Sequence, residues 1–251
     1  PNQLQTLENA EADEPELTEA ETYNDVVNTD EFPHILIVED DAELANYLAS
    51  SFEEEYSVTL AANGLEGMSK AIDLQPDLII SDVMMPEMDG TQMSKSVKNN
   101  LETSHIPIIL LTARASDTHV IEGYESGADM YVTKPFAIEV LRTQVKQLIL
   151  SRRQLIEKFS RHTMLKPRDL KISSLDERFL DKLYSIIEAN LAEPDFDVSE
   201  IVKQMNLSHS TVLKKVKALT GTSMVEFVKM QRLKRAAQIL ATDKLPISEV
   251  A

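Results

Sequence analysis

Side chains suited to phosphate or metal chemistry stand directly after short apolar runs in the first 150 residues. If these runs are parallel strands of one sheet, their carboxyl ends meet at a single edge, where ligands bind in such folds. The residues that follow the runs are Glu39, Asp40 and Asp41 after the first, Asp82 after the third, Thr112 after the fourth and Lys134 after the fifth. The edge would then gather several carboxylates, one hydroxyl and one lysine.

Carboxylates placed this closely are unfavourable without a cation. Two of them about 5 Å apart repel by roughly 3 kcal/mol at an effective dielectric constant of 20. Mg²⁺ removes this repulsion, and it prefers one or two carboxylates together with water and phosphate oxygens. Lys134 adds a compact positive charge suited to phosphate. The set predicts a carboxylate nucleophile, Asp82, that accepts a phosphoryl group.

Each of these residues also has a purely structural explanation when it is taken singly. Asp41 could cap a helix, Thr112 could end a strand, and Lys134 could be an ordinary surface charge. Four strand ends that all carry suitable groups favour the chemical explanation over these separate ones.

The elements that must position these residues alternate between apolar runs and amphipathic stretches. Four of the five runs are nearly continuous in apolar residues, which is typical of strands covered on both faces by helices. This alternation predicts a doubly wound α/β domain with a five-stranded parallel sheet. The predicted strands are 35–38, 57–60, 78–80, 108–111 and 130–132, and the predicted helices are 42–51, 64–74, 91–99, 117–126 and one from about 137.

One long helix is predicted after the fifth strand. Its apolar positions advance in steps of three and four, the pattern of a heptad seam, which a single arginine interrupts. No Gly or Pro occurs between about residue 137 and Pro167, so a helix of roughly 24 residues and about 36 Å is expected. A stiff connector and a dimerising coiled coil are both open interpretations. The seam consists of Ile138, Leu141, Val145, Leu148, Arg152, Leu155 and Phe159.

The last third of the chain is predicted to be entirely helical. A serine or aspartate followed three residues later by glutamate marks helix starts at Ser174, Asp197 and Ser223. The turn 206–208 begins with an asparagine and ends with a serine that caps the next helix, which Gly221 closes. Two short helices joined by such a turn form a helix-turn-helix.

Charge is distributed unevenly along the 251 residues, whose net charge is −17. Residues 1–33 contain ten acidic and no basic residues and are predicted to be a disordered linker, with an acidic interaction arm as the alternative. Residues 34–150 contain nineteen acidic and seven basic residues, which argues against nucleic-acid binding there. Residues 151–251, with eighteen basic and thirteen acidic residues, are the candidates for binding DNA.

Composition excludes several other classes. The chain has no cysteine, which rules out a disulfide framework, thiol catalysis and cysteine-ligated zinc. No apolar run approaches the roughly 18–20 residues of a membrane helix. We expect a cytoplasmic fragment of a longer protein that a membrane could anchor elsewhere, because the chain starts at Pro1 and stops within a patterned segment at Ala251.

Four segments resemble the motifs of response-regulator receiver domains, in that family's order and spacing. They are ILIVEDD at 35–41, LIISDVMMPEMDG at 78–90, IPIILLTA at 106–113 and GADMYVTKPF at 127–136. The resemblance implies a flavodoxin-like fold with Asp82 as the phospho-acceptor. Asp40, Asp82 and the main-chain carbonyl of Met84 would hold Mg²⁺, with Glu39 assisting through water.

The same resemblance assigns the remaining receiver residues. Thr112 would bind phosphoryl oxygens, Tyr131 would be the switch aromatic, and Lys134 would form the salt bridge and precede a cis bond to Pro135. Phosphoryl transfer from a phosphohistidine would draw Thr112 inward, and Tyr131 would follow. This would bias a two-state surface formed by the helix at 117–126, the fifth strand and the long helix.

Residues 174–251 resemble the start of an AraC-type DNA-binding domain, especially over 198–221 and 227–251. Such domains join two helix-turn-helix units by a long helix, here about 224–242, and the chain ends within the first helix of the second unit. Arg is common in this family where His209 stands, so base preference does not transfer. The expected promoter-DNA contacts are Ser208, His209, Ser210, Thr211, Lys214, Lys215 and Lys217.

The order of segments resembles the C-terminal end of a hybrid two-component sensor, in which a histidine kinase precedes the receiver. The segments are a linker (1–33), a receiver (34–150), a helical extension with a basic linker (151–173) and the incomplete AraC-type domain (174–251). The expected partners are a histidine-kinase phosphodonor, promoter DNA and a second copy bound through the receiver and its long helix. The fragment itself is expected to be a regulator rather than an enzyme.

Two other functions compete with this one. A phosphatase of the haloacid-dehalogenase type generally needs a second aspartate two residues after the nucleophile, where this chain has Met84. A scaffold whose receiver dimerises without ever accepting phosphate is the third possibility.

Overall fold

The computed structural model describes residues 32–113, 127–161, 173–193 and 196–242. The predictions for most of the acidic linker, the helix at 117–126, the basic linker and the end of the chain lie outside these ranges. From Phe32 onward the chain forms one compact unit. Among the helices in the described ranges, none combines the length and apolar character needed to cross a membrane.

Five parallel strands form one sheet in the order β2-β1-β3-β4-β5. The strands are β1 (His34–Val38), β2 (Ser57–Ala61), β3 (Leu78–Asp82), β4 (Ile108–Thr112) and β5 (Met130–Thr133). The helices of this part are α1 (Ala42–Phe52), α2 (Gly64–Leu74), α3 (Gly90–Asn99) and α4 (Ile138–Arg161). The predicted doubly wound, flavodoxin-like α/β fold is confirmed.

Each strand contributes to two apolar cores, one on either face of the sheet. Ile35 and Ile37 of β1 pack in the core that includes residues of α1 and α4. Leu36 and Val38 pack in the core that includes residues of α2 and α3. All four are fully buried, which explains why the strands are continuous in apolar residues instead of alternating with polar ones.

Helix α4 has the 24 residues expected from its sequence pattern. Its first half is buried against the sheet through Leu141 and Val145. Further along, Leu155 packs against a separate apolar core in the last third of the chain. These described seam positions are therefore covered within one chain, which favours the connector interpretation, while a dimeric coiled coil stays a prediction.

The last third is helical, as predicted, around a core that includes Phe179, Ile187 and Phe227. Asp197 and Ser208 accept backbone N–H bonds as helix caps, confirming those assignments. The first cap is Ser173 rather than Ser174. The Ser173 hydroxyl accepts the Asp176 N–H, and Ser174 is the first residue of the helix. The helices are α5 (Ser174–Asn190), α6 (Val198–Met205), α7 (His209–Thr220) and α8 (Met224–Thr242).

Candidate functional site

The register between β1 and β3 places the first site residues side by side. Val38 pairs with Ser81 across the two strands. Glu39 and Asp82 are the next residue on each strand, so both reach the carboxyl edge at the same level. This is also the position where the chain order across the sheet reverses, the usual ligand crevice of doubly wound folds.

The same register extends across the other half of the sheet. Asp82 pairs with Leu111, and Thr112 pairs with Thr133. The Lys134 N–H then donates to the Thr112 carbonyl at 2.7 Å, carrying the ladder past the last strand residue. The four predicted strand-end residues therefore lie along one edge.

Three carboxylates cluster at this edge. Glu39, Asp40 and Asp82 each offer an oxygen, and these three oxygens lie within 4.8 Å of one another. Their burial is graded, with Glu39 buried, Asp82 half-buried and Asp40 exposed. Hard oxygen donors that converge and open to solvent on one side fit Mg²⁺, which keeps several waters when it binds protein.

Lys134 is the cation of the site. Its Nζ lies 3.1 Å from Glu39 Oε2 and 3.2 Å from Asp82 Oδ1. The Asp82 Oδ1 atom also accepts the Val83 N–H at 2.8 Å. The hydrogen bond from the Val83 N–H and the ion pair with Lys134 meet at one oxygen and fix the orientation of the Asp82 carboxylate.

Glu39 is buried beside a second carboxylate, that of Asp82. Burial raises the pKa of its carboxyl, and the negative charge of Asp82 raises it further, while Lys134 opposes both effects. Among the residues that the structure describes here, Lys134 is the cation paired with this cluster of three acids, and it contacts two of them. A divalent ion bound by the three carboxylates would add further positive charge.

Asp41 belongs to the first helix and not to the carboxylate cluster. Its side chain caps α1 by accepting the N–H groups of Glu43 and Leu44 at 2.9 and 3.2 Å. The capping explanation that the sequence left open is therefore the right one for this aspartate.

Sequence reasoning gave no role to Gly90, the last residue of the MDG segment. A Cβ at this position would lie 2.0 Å from the main-chain carbonyl oxygen of Asp82. The Gly90 N–H donates to the Val83 carbonyl at 3.0 Å. The loop after β3 therefore folds back onto its own strand end, and the absence of a side chain permits the approach that sets the Asp82 backbone.

The remaining receiver predictions fall in or beside the outer strands. Thr112 is half-buried at the end of β4, and Tyr131 is half-buried in β5, against the core shared with α2 and α3. The peptide between Lys134 and Pro135 is cis, as the resemblance implied. Met84 lies two residues after Asp82 with an exposed side chain, and its carbonyl as a metal ligand stays a prediction.

The seven predicted DNA contacts divide into two groups. Five of them are exposed at the start and on the outer face of α7, namely Ser208, His209, Ser210, Lys214 and Lys217. Thr211 and Lys215, by contrast, are buried. In this arrangement these two side chains contact other parts of the chain, so the surface open to DNA is smaller than the sequence predicted.

Residues 35–146 match the family described as the response regulator receiver domain. With the carboxylate cluster and Lys134 at the expected edge, this part of the chain is a response regulator receiver domain, the phosphoryl-accepting module of two-component signalling.

Similarity to known proteins extends beyond the receiver. The chain is 39% identical over 249 residues to "Histidine kinase P4" of Formosa agariphila, which covers 99% of this chain and 18% of that protein. It is 37% identical over 118 residues to the "DNA-binding dual master transcriptional regulator RpaA" of Synechocystis, covering 47% of this chain and 49% of the regulator. The chain therefore spans a fifth to a half of the length of these relatives.

Among solved structures, the receiver domain of a signal transduction histidine kinase from Syntrophus aciditrophicus is 40% identical. The match covers 47% of this chain and 91% of that one, with a TM-score of 0.46.

Proposed function

We propose that the chain is the phosphorylation-dependent regulatory end of a two-component phosphorelay, with Asp82 as the residue that accepts the phosphoryl group. The observation that carries this proposal is the Asp82 carboxylate itself. It is half-buried among two other acids, oriented by the Val83 N–H and held 3.2 Å from the Lys134 ammonium. This combination of acceptor, cation and open edge suits transfer of a charged group.

In the proposed reaction, an Asp82 oxygen attacks the phosphorus of a phosphohistidine. The new O–P bond forms as the P–N bond breaks, and the electron pair of the P–N bond returns to the imidazole nitrogen. Lys134 neutralises charge on the transferred oxygens, and Thr112 donates its hydroxyl to one of them. Glu39, Asp40, Asp82 and the Met84 carbonyl would hold Mg²⁺, which supplies additional charge neutralisation when bound.

We further propose that the helical part is an AraC-type DNA-binding domain whose first helix-turn-helix is formed by α6 and α7. The three-residue turn, the caps at Asp197 and Ser208, and five exposed polar residues at the start and outer face of α7 support this role. The similarity to a histidine kinase over nearly the whole chain supports a hybrid sensor as the parent. Tyr131 as the switch residue and homodimerisation belong to the same proposal.

The test is acetyl phosphate with Mg²⁺, followed by intact mass spectrometry. The expected result is a single adduct of about 80 Da, one phosphoryl group, on the unmodified chain. Asp82→Asn should abolish it, while Asp41→Asn, which changes a neighbouring acid outside the cluster, should retain it. Continuous phosphate release without an adduct would favour a phosphatase, and no adduct on any variant would favour a scaffold.

A further inference from the structure

A buried cluster of polar side chains joins the receiver to the helical part, away from the carboxylate edge. We propose that Ser104, Asp176 and Lys215 form an intramolecular latch that holds α7 against the receiver and restrains its binding to DNA. The inference rests on the proposed DNA-binding function of α7. It adds a regulatory contact that involves none of the phosphorylation-site residues.

The latch is closed by short polar contacts between three elements. The Lys215 Nζ atom of α7 lies 2.5 Å from Asp176 Oδ1 of α5 and 2.8 Å from Ser104 Oγ of the loop between α3 and β4. Ser104 in turn donates to Asp176 at 2.8 Å. The Lys215 side chain is 0% exposed and that of Asp176 is 3% exposed, so both charges are withdrawn from water.

Neighbouring contacts extend this interface along α7. The Thr211 hydroxyl donates to Glu102 at 2.6 Å. Arg152, the residue that interrupts the α4 seam, donates to the carbonyls of His105 and Ala218. Positions 211, 215 and 218 are spaced by four and three residues and therefore share one face of the helix. The receiver and α4 together cover that face.

A buried ion pair is a poor choice for stability alone, because desolvation offsets most of its attraction. It does impose one specific arrangement, since either charge left alone in the interior would be strongly unfavourable. Opening the interface would return Lys215 and Thr211, two of the predicted DNA contacts, to solvent. The buried pair therefore has the properties of a contact that exists in two states.

The closed state opposes DNA binding for two physical reasons. A helix with its side chains is about 10–12 Å wide and nearly fills a major groove of about 12 Å, so a body fixed to its flank obstructs entry. That body is also acidic, with nineteen acidic and seven basic residues in 34–150. Its charge repels the phosphates that α7 would approach.

Two elements connect the latch to the phosphorylation edge. Helix α3 begins at Gly90, beside the Asp82 carbonyl, and β4 ends at Thr112. The segment 100–107 that contains Ser104 joins the other ends of these two elements. A shift of α3 or β4 on phosphorylation would therefore displace the segment that contains Ser104.

Lysine acetylation in the full chain, read by peptide mass spectrometry, tests whether the latch is closed. Lys214 is exposed and adjacent to Lys215, so it serves as the internal reference. Lys215 should be acetylated at about one tenth of the rate of Lys214 or more slowly, because its reaction requires opening of the interface. Equal rates at the two lysines would overturn the latch.

Ser104→Arg should open the latch, because the buried site has no room for a larger side chain and the carboxylate beside it, Asp176, already pairs with Lys215. Asn99→Arg adds the same charge at an exposed position five residues earlier and is the matched control. Lys215 acetylation should rise about tenfold in Ser104→Arg only. If circular dichroism shows that Ser104→Arg is unfolded, Asp176→Asn replaces it with the same expectation. No rise in a folded variant would overturn the proposal.

Binding to a fluorescent mixed-sequence 30-bp duplex at low salt tests the restraint. Ser104→Arg should bind about tenfold more tightly than Asn99→Arg. Equal affinity, with Lys215 exposed, would show a latch that does not restrain DNA binding. Absence of binding by every variant would overturn the proposed DNA-binding function, and with it the restraint, while the acetylation result would still report the contact. Phosphoramidate, a phosphoryl donor that carries no acetyl group, should raise Lys215 acetylation in the unmodified chain and leave that of Asp82→Asn unchanged.

Discussion

Among the described residues, the sheet edge combines three carboxylates with one lysine, which is an excess of negative charge. The oxygens of Glu39, Asp40 and Asp82 converge within 4.8 Å, and Glu39 has little access to water. Functional sites commonly retain such unfavourable electrostatics, because the charge that destabilises the free protein binds the ligand. The edge should therefore be more stable with one acid fewer.

Glu39→Gln should raise the urea midpoint of unfolding in EDTA and lower the affinity for Mg²⁺ about tenfold. The variant removes one repelling charge while Asp82 keeps its contact with Lys134. Chemical denaturation gives the midpoint, and calorimetric titration gives the Mg²⁺ affinity.

Asp41→Asn is the matched control for this prediction. It makes the same chemical change two residues away, at a cap where Asn and Asp are nearly equivalent. Both the midpoint in EDTA and the Mg²⁺ affinity should stay close to those of the unmodified chain. A lower midpoint for Glu39→Gln would mean that Glu39 is compensated already, contrary to the electrostatic argument.

At the scale of elements, local pattern predicted most of what the structure contains. The five apolar runs correspond to five strands, and the uninterrupted stretch without Gly or Pro predicted the length of α4. Arg152 marks the limit of such reasoning. Its position inside an apolar seam was visible in the sequence, but its partners His105 and Ala218 are 47 and 66 residues away, beyond the reach of any local pattern.

The turn between α7 and α8 is a point where two elements meet with no room for a side chain. Gly221 has φ +73°, and a Cβ there would lie 2.4 Å from Cγ2 of Ile156 in α4. Gly221→Ala should lower the free energy of unfolding by about 2–4 kcal/mol, from backbone strain together with the clash. Urea unfolding measures the loss.

Gly127→Ala separates the two contributions. Gly127 has nearly the same φ, +72°, but among the described residues its Cβ would meet only the flexible Lys98 side chain, at 3.3 Å. Gly127→Ala should lower the free energy of unfolding only by the cost of the strained backbone, about 1–2 kcal/mol. In an Ile156→Ala background, Gly221→Ala should then lose no more than Gly127→Ala does. If Gly221→Ala still lost about 2–4 kcal/mol in the Ile156→Ala background, the contact with Ile156 would not be the source of the destabilisation.

At the scale of the whole molecule, the sequence predicted a receiver fold followed by a helical part but not how the two touch. The strand-end residues could be found because parallel strands align their ends by rule. No comparable rule brings Ser104, Asp176 and Lys215 together, since they lie on a loop and two helices and their spacings are 72 and 111 residues from Ser104. For this reason Lys215 was predicted to face DNA, whereas the structure buries it between the modules.

The junction between the modules should weaken in acid. Burial, and the nearby charges of Arg152, Lys215 and Lys98, hold the pKa of His105 well below 6.5. The unfolded chain therefore binds this proton more readily than the folded one. Stability should be complete above pH 6.5 and fall below it, towards the lowered pKa, by at most about 1.4 kcal/mol per pH unit.

His105→Gln tests this dependence, because glutamine still offers an acceptor to Lys215 but does not titrate. Urea unfolding at several pH values between 8 and 4 should give a shallower acid loss for the variant. His34, whose pKa burial also lowers, contributes equally to both proteins. If the free energy of unfolding fell equally with pH in the two proteins, protonation of His105 would not destabilise the folded state.

The opposite charges of the two modules give the final prediction, which concerns DNA binding by the entire chain. An acidic receiver next to a basic helical part leaves few phosphate contacts, so binding should be weak and its affinity should fall with salt along the shallow slope of a few released counterions. Lys214→Gln removes one exposed cation from α7, whereas Lys95→Gln removes an exposed cation from α3 of the receiver. Lys214→Gln should weaken binding to a mixed-sequence duplex and reduce the slope of log affinity against log salt by about one. Lys95→Gln should leave that slope unchanged, since repulsion from the receiver releases no counterion from the DNA. Anisotropy titrations at several salt concentrations measure both slopes, and equal changes in the two variants would mean that the receiver, and not α7, lies against the phosphates.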